Sequence, residues 1–267
     1  MILINLGCGN HYHNEWINVD FVKIGKNVIA HNLVNGIPFA TNYADVIYNS
    51  HVFEHFSKDG AVFFLSECWR VLKPGGIIRI VVPDLENIAR EYISHLEGAL
   101  LGDKTAQNNY EWIMLELYDQ VVRNKSGGMM VDYLRQPVIS NANYIEGRIS
   151  SEYRSIRNSF NSSTNRKKKL SFNILEKLGT VRMKIAKLIL GRQKNIIDIG
   201  RFRISGENHL WMYDRFSLSK LLLKASFKEV KLVTAHSSSI PQWSKYNLDI
   251  VEEGVRFPSS LFIEAKK

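Results

Sequence analysis

The run Ile2-Leu3-Ile4-Asn5-Leu6 ends directly in Gly7-Cys8-Gly9, and no other feature constrains the chain as much. An apolar, β-branched run closed by paired glycines reads as a buried strand turning sharply at its carboxyl end, where open α/β sheets bind ligands. Glycine there lets backbone N–H groups approach a ligand, because no Cβ intervenes and positive φ is allowed. A dinucleotide site would place a third glycine where this chain has Tyr12, and an acidic ribose ligand about 20 residues further on. Instead the next strand-like run, Trp16-Ile17-Asn18-Val19, ends in Asp20, too soon for a full crossover helix. A nicotinamide dinucleotide is therefore disfavoured. A carboxylate at the tip of strand 2 still suits both hydroxyls of a ribose.

Downstream, Gly36-Ile37-Pro38-Phe39 leads into the strand Tyr43-Ala44-Asp45-Val46-Ile47-Tyr48-Asn49-Ser50 and then His51-Val52-Phe53-Glu54-His55. A helix is expected over 59–72, then the turn Lys73-Pro74-Gly75-Gly76 and a strand over 77–82 closed by Pro83-Asp84. In this order and spacing the motifs resemble class I S-adenosylmethionine-dependent methyltransferases of the type 11 branch, across residues 1–84. The resemblance implies an α/β, Rossmann-like seven-stranded sheet with a terminal antiparallel strand, and S-adenosylmethionine as cofactor. Gly7, Cys8 and Gly9 would line its methionine part, Asp20 would hold the ribose, Asn32 and Leu33 would lie near the adenine, and Ser50 and His51 would close the pocket. Asn5 stands where the family often has a carboxylate, which removes a negative charge near the sulfonium, and Asn32 stands where an Asp is common.

Methyl transfer needs in-line alignment and, for a hydroxyl acceptor, a base at the carboxyl ends of strands 4 or 5. His55 and Asp84 meet that requirement and resemble the pair found in some sugar O-methyltransferases. Asp84 reads equally as the N-cap of a helix that it opens. His51-Val52-Phe53-Glu54-His55 also spells the H-x-x-E-H of inverted zinc proteases. That reading needs both histidines on one helix face and a third ligand, whereas the run follows a strand and no downstream helix clearly offers one. No metal is expected, and Glu54 with His55 reads instead as a pair capping the turn.

The chain has 267 residues and 45% hydrophobic content, enough for one α/β core plus an insertion. Three parts are expected: 1–84 as the cofactor-binding half, 85–205 as a helical insertion or lid, and 206–267 as the completion of the sheet. Two cysteines, no long apolar span and a strand at the very start predict a cytoplasmic protein without a leader or a disulfide framework. The net charge of +9 is concentrated: residues 151–205 hold 14 Lys and Arg against 3 Asp and Glu. Apolar residues at 174, 178, 181, 185 and 188 mark one helical face there, leaving a basic one. Such a helix packs on its own domain or in an oligomer, lies on an anionic membrane through residues 166–194, or binds RNA, with nucleic acid disfavoured.

The core is expected to resume at Ser205-Gly206-Glu207-Asn208-His209-Leu210-Trp211-Met212-Tyr213-Asp214, followed by a helix over 217–225 and a strand 6–strand 7 hairpin over 227–233 and 260–265. This ending resembles a subgroup associated with bacterial surface-glycan gene neighbourhoods. His209 reads as a second base or as an anchor for the returning loop. The leading expectation is methyl transfer to a hydroxyl of a sugar, nucleotide-sugar or lipid-linked glycan. The competitors are a non-catalytic cofactor-binding scaffold and an RNA methyltransferase.

Overall fold

The computed structural model describes residues 1–162, 191, 195–252 and 254–267, with the side chains of 161 and 162 left out. Seven strands form one sheet: β1 (Leu3–Leu6), β2 (Ile17–Asp20), β3 (Val28–Ala30), β4 (Ala44–Ser50), β5 (Leu72–Pro83), β6 (Lys228–Leu232) and β9 (Ser260–Lys266). Their order is β3-β2-β1-β4-β5-β9-β6, parallel up to β5, with β9 antiparallel to both its neighbours. β1 is buried at all four positions because parallel partners flank it and both faces are covered, which is why its sequence is a continuous apolar run. β6 is the opposite case: an exposed edge rich in lysine, with Glu229 at φ 48 shifting its register, devices that block edge-to-edge pairing.

Helix α1 (Lys58–Val71) starts at Ser57, whose hydroxyl accepts from Gly60 N at 3.1 Å, and buries Ala61, Phe64, Leu65, Cys68 and Val71 against the sheet. The predicted helix over 59–72 and strand over 77–82 are both present. The Lys-Pro-Gly-Gly turn is absorbed into β5, however: Leu72 already pairs with Ala44, and the register shifts before Ile77 pairs with Val46.

Between β5 and the returning core run α2 (Leu85–Leu100), α3 (Lys104–Val122), α4 (Gly128–Leu134), α5 (Ala142–Ser162) and α6 (Asn195–Arg203). Trp112, Met130, Leu134, Ile145 and Ile149 give these helices a core of their own. The amphipathic helix predicted around 174–188 lies outside the described residues. Helix α7 (Arg215–Lys224) begins with a capping box between Asp214 and Ser217 and seats Leu218 and Leu222 on the sheet.

Strands β6 and β9 are antiparallel neighbours but not a tight hairpin. The chain between them carries one helical turn, α8 (Trp243–Tyr246), and the small ribbon β7 (Ile250–Val251) with β8 (Gly254–Val255). Trp243 and Tyr246 pack with Trp16 and Tyr48 on the sheet face opposite α1. No helix among the described residues is long and apolar enough to cross a membrane.

Candidate functional site

The carboxyl ends of β1, β4 and β5 meet the helices α3 to α5 around a cleft of about 710 Å³. At the end of β1 the chain turns through Gly7 (φ 69) and Gly9 (φ 53), and the N–H groups of Gly7 and Cys8 both donate to Val19 O, which pins the loop to β2. The two glycines serve different ends. A Cβ on Gly7 would meet Val52 Cγ2 at 2.2 Å, so that position is closed by packing; around Gly9 nothing lies within 4 Å of the same place. A side-chain-free cradle over Gly9 fits a ligand laid against the backbone.

Asp20 sits beside that cradle and accepts from Gly9 N at 2.8 Å and from Val22 N at 3.2 Å, which fixes its carboxylate at the tip of β2. Asn32 caps the short turn Leu33–Asn35 by accepting from Val34 N. Asn5 is buried and donates to Asn18 Oδ1 at 3.3 Å within the sheet. Burial, then the nearby Asp20 charge, pushes the Cys8 thiol up to about 11, so it is a protonated filler rather than a nucleophile.

At the end of β4, Ser50 leads into His51, a non-glycine residue at φ 55, a conformation that costs on the order of 1–2 kcal/mol and is found preferentially at functional positions. Its Nε2 is 3.0 Å from Ser260 Oγ and its ring lies against Phe257. The turn Phe53–His55 is a short 3-10 turn rather than part of an α-helix, so His51 and His55 do not share a helix face.

What gathers there is a return loop from far along the chain. Leu210 N and Trp211 N both donate to Glu54 O, and His55 Nδ1 lies 3.0 Å from Asn208 O. Asn208 in turn donates to Val121 O and Arg123 O at the end of α3, while Gly127 N donates to Glu207 Oε1. The Gly-Glu-x-His-x-Trp-Met-Tyr-Asp segment is therefore a clamp between the sheet and the helices above it.

The clamp carries His209, 4% exposed, to within 3.9 Å of Glu54 Oε1, with the His55 and His209 rings meeting edge to face. Burial, only partly offset by Glu54, lowers His209 to about 3 and keeps it neutral. Burial raises the Glu54 carboxyl, but the close approach of His51, with His209 and His55 behind it, outweighs this and brings it down to about 2. The cleft is also lined by Gln120, Arg123, Glu152, Glu207 and Arg256. Burial pushes the Glu152 carboxyl up and the Arg256 guanidinium down, so the mixed polar and apolar walls carry partly desolvated charges.

Asp84 is placed differently. It accepts from Glu86 N as the N-cap of α2, its backbone bridges Tyr213, and burial raises its carboxyl. Of the sequence candidates, the structure thus brings His51, His55 and His209 to one cleft and sets Gly9 and Asp20 side by side. Glu54, which the sequence offers as a turn cap or as the base of an H-x-x-E-H motif, lies buried between His51 and His209. Arg123, Glu152 and Arg256 carried no local signal, since they reach the cleft from elements distant in sequence.

A family model described as a methyltransferase domain matches residues 14–80, from inside the β1–β2 connection into β5. No curated protein matches the chain. A structure described as a SAM-dependent methyltransferase from Archaeoglobus fulgidus is 13% identical and covers 99% of this chain and 85% of its own, with a TM-score of 0.38. A complex containing the Haloferax volcanii methyltransferase activator Trm112 matches at 19% identity over 35% of this chain and 50% of its own, with a TM-score of 0.27. The strand order with its single antiparallel strand, rather than these superpositions, carries the fold.

Proposed function

We propose that this chain is an S-adenosylmethionine-dependent methyltransferase that delivers the methyl group to a hydroxyl oxygen of a sugar, nucleotide-sugar or lipid-linked glycan held in the cleft. The observation that carries the reading is the set of imidazoles, His51, His55 and His209, lining a cavity of mixed polar and apolar walls next to the Gly9–Asp20 cradle. An activated sulfonium needs no acid to leave; the protein's tasks are alignment and removal of the acceptor proton.

The cofactor supplies an electrophilic methyl group when bound. Gly9 would admit its backbone-facing part, Asp20 its ribose, and Asn32 and Leu33 the adenine end. His55 has its Nδ1 on a backbone carbonyl, an acceptor only, so Nδ1 carries the proton and Nε2 keeps a lone pair. His55 would take the acceptor O–H proton at that lone pair as the oxygen is methylated, with S-adenosylhomocysteine as the leaving group. Arg123, Glu152 and Arg256 offer donors and acceptors for a hydroxyl-rich acceptor, the group pattern that an apolar cleft would reject. Asp84 Oδ1 serves the α2 cap, so His55 rather than Asp84 is given the proton.

The basic stretch 166–194 would bring the enzyme to anionic lipid carrying such a glycan. Incubating the protein with S-adenosylmethionine and a panel of glycans, nucleotide-sugars and RNAs, while following S-adenosylhomocysteine, tests the reading. Release is expected with a hydroxyl-bearing glycan and about 100-fold less in His55→Ala, cofactor binding being retained; release with RNA alone would overturn it.

A further inference from the structure

Proton removal by a single histidine does not explain why a carboxylate is buried behind it. Glu54 is 1% exposed, and neither of its oxygens has a hydrogen-bond partner. An anionic group in that position is costly unless a cation neutralises it. The nearest groups are imidazoles: Glu54, His55 and His209 each offer one ligand atom, all within 4.8 Å of one another, and His51 Nδ1 stands 3.4 Å from Glu54 Oε1. We infer that Glu54, His55 and His209 form a binding site for a divalent first-row transition ion, with zinc as the representative.

Two imidazoles and one carboxylate are the donor set of open, catalytic zinc sites and of related first-row ions. The second shell is already in place. His55 Nδ1 lies against the Asn208 carbonyl, which leaves Nε2 as the lone pair, the arrangement found behind metal-bound histidines. The ligand backbones are tied together as well, through Leu210 N and Trp211 N to Glu54 O and His209 N to Gln120 O. Bonds of about 2.1 Å at tetrahedral angles hold ligand atoms about 3.4 Å apart, so a set standing within 4.8 Å draws together by up to about 1.4 Å on binding. Glu54 and His209 are buried, whereas His55 is half-buried and faces the cleft, so the ion's free position points toward the acceptor.

The inference rests on the methyl-transfer reading for its chemistry and refines it. With the ion bound, the His55 Nε2 lone pair is a ligand and no longer free to take a proton; an acceptor hydroxyl would occupy the ion's free position and its proton would pass instead to His51, which lines the same cleft outside the donor set. The expectation that no metal binds assumed that no third ligand lay downstream; His209 supplies one from a loop, not from a helix.

Chelator-stripped full-length protein, without methyl donor or acceptor, is titrated with Zn²⁺ by calorimetry and with Co²⁺ by visible absorption. One equivalent is expected to bind, with Co²⁺ d–d bands, and Glu54→Gln or His209→Asn to weaken it by more than about tenfold, whereas His95→Gln, in a separate surface-side pair with Glu91, leaves it unchanged. Circular dichroism and S-adenosylmethionine calorimetry check folding; should Glu54→Gln fail to fold, His55→Gln at the half-buried ligand replaces it. Absence of a stoichiometric ion in the wild type, or equal affinity in the folded Glu54→Gln or His55→Gln variant, overturns the inference. Because no methyl donor is present, that failure leaves the methyl-transfer reading standing, and a missing methyl-donor titration would sink that reading alone.

Discussion

Two groups of buried charge sit near the sheet, and they are finished to different degrees. On the face opposite α1, Arg79 is fully buried and uses every guanidinium N–H: two to Asp249 at 2.9 and 2.6 Å, one to Glu264 at 2.7 Å, and one each to the carbonyls of Ser237 and Thr234. Tyr48 and Ser239 N satisfy the remaining carboxylate oxygens, and the Trp243 ring lies 4.3 Å from the guanidinium carbon. At the carboxyl ends of the strands, Glu54 is as deeply buried with no hydrogen bond to either oxygen. A closed network explains itself as structure, fastening the β6–β9 connection to the sheet. In an open one the carboxylate has imidazoles beside it but no hydrogen bond among the described residues, which is where a bound ion would be sought.

The largest effect that could break this contrast is on stability. Arg79→Met would leave Asp249 and Glu264 buried without their cation, and a loss of about 3–5 kcal/mol is expected in denaturant unfolding. A loss below about 1 kcal/mol would show that the network is not closed.

The open cluster makes itself felt through acid. His209 titrates at about 3 folded and near 6.5 unfolded, so below pH 6.5 the unfolded chain binds its proton first and stability is lost as pH falls toward 3. Glu54, lowered from 4.5 to about 2, contributes stability that is present above pH 4.5 and lost as pH falls through the folded value. Both slopes have the same sign, each up to about 1.4 kcal/mol per pH unit. Chelated His209→Asn protein should show a flatter decline between pH 6.5 and 4.5, and an unchanged decline would remove His209 from the account.

The glycine loop repeats the contrast on a smaller scale. Gly7→Ala drives a methyl group into Val52 at a positive φ and should cost about 1–3 kcal/mol. Gly9→Ala meets only the φ penalty, on the order of 1 kcal/mol, but fills the cradle and should weaken S-adenosylmethionine binding in calorimetry. The smallest effect belongs to Asp84→Asn. Asn caps helices as well as Asp, so stability should move by less than about 0.5 kcal/mol and turnover should stay; a large loss of turnover would return Asp84 to the chemistry.

What the sequence made legible follows from range. Strand 1, its glycine turn and Asp20 are local patterns, and the seven-stranded sheet follows from the family resemblance they carry; the turn expected at Lys-Pro-Gly-Gly is instead absorbed into β5. His51, His55 and His209 stood out as residues, but their meeting depends on hydrogen bonds between Glu54 and a loop more than 150 positions away, which no local pattern encodes. Arg79 stands as a charge inside the apolar run of β5, a pattern that implies a buried partner, but its partners Asp249 and Glu264 lie too far along the chain for any local pattern to name. Asn5, expected near the cofactor, donates its amide to Asn18, its register partner on β2 and on the same sheet face.

The most direct measurement is S-adenosylhomocysteine release by wild-type and Glu54→Gln protein, against the same glycan panel and with cofactor binding checked in both. The account predicts release by the wild type with a hydroxyl-bearing glycan, and at least about 100-fold less by a folded, cofactor-binding Glu54→Gln. Equal release by the two proteins would show that the unfinished cluster is not where methyl transfer is managed.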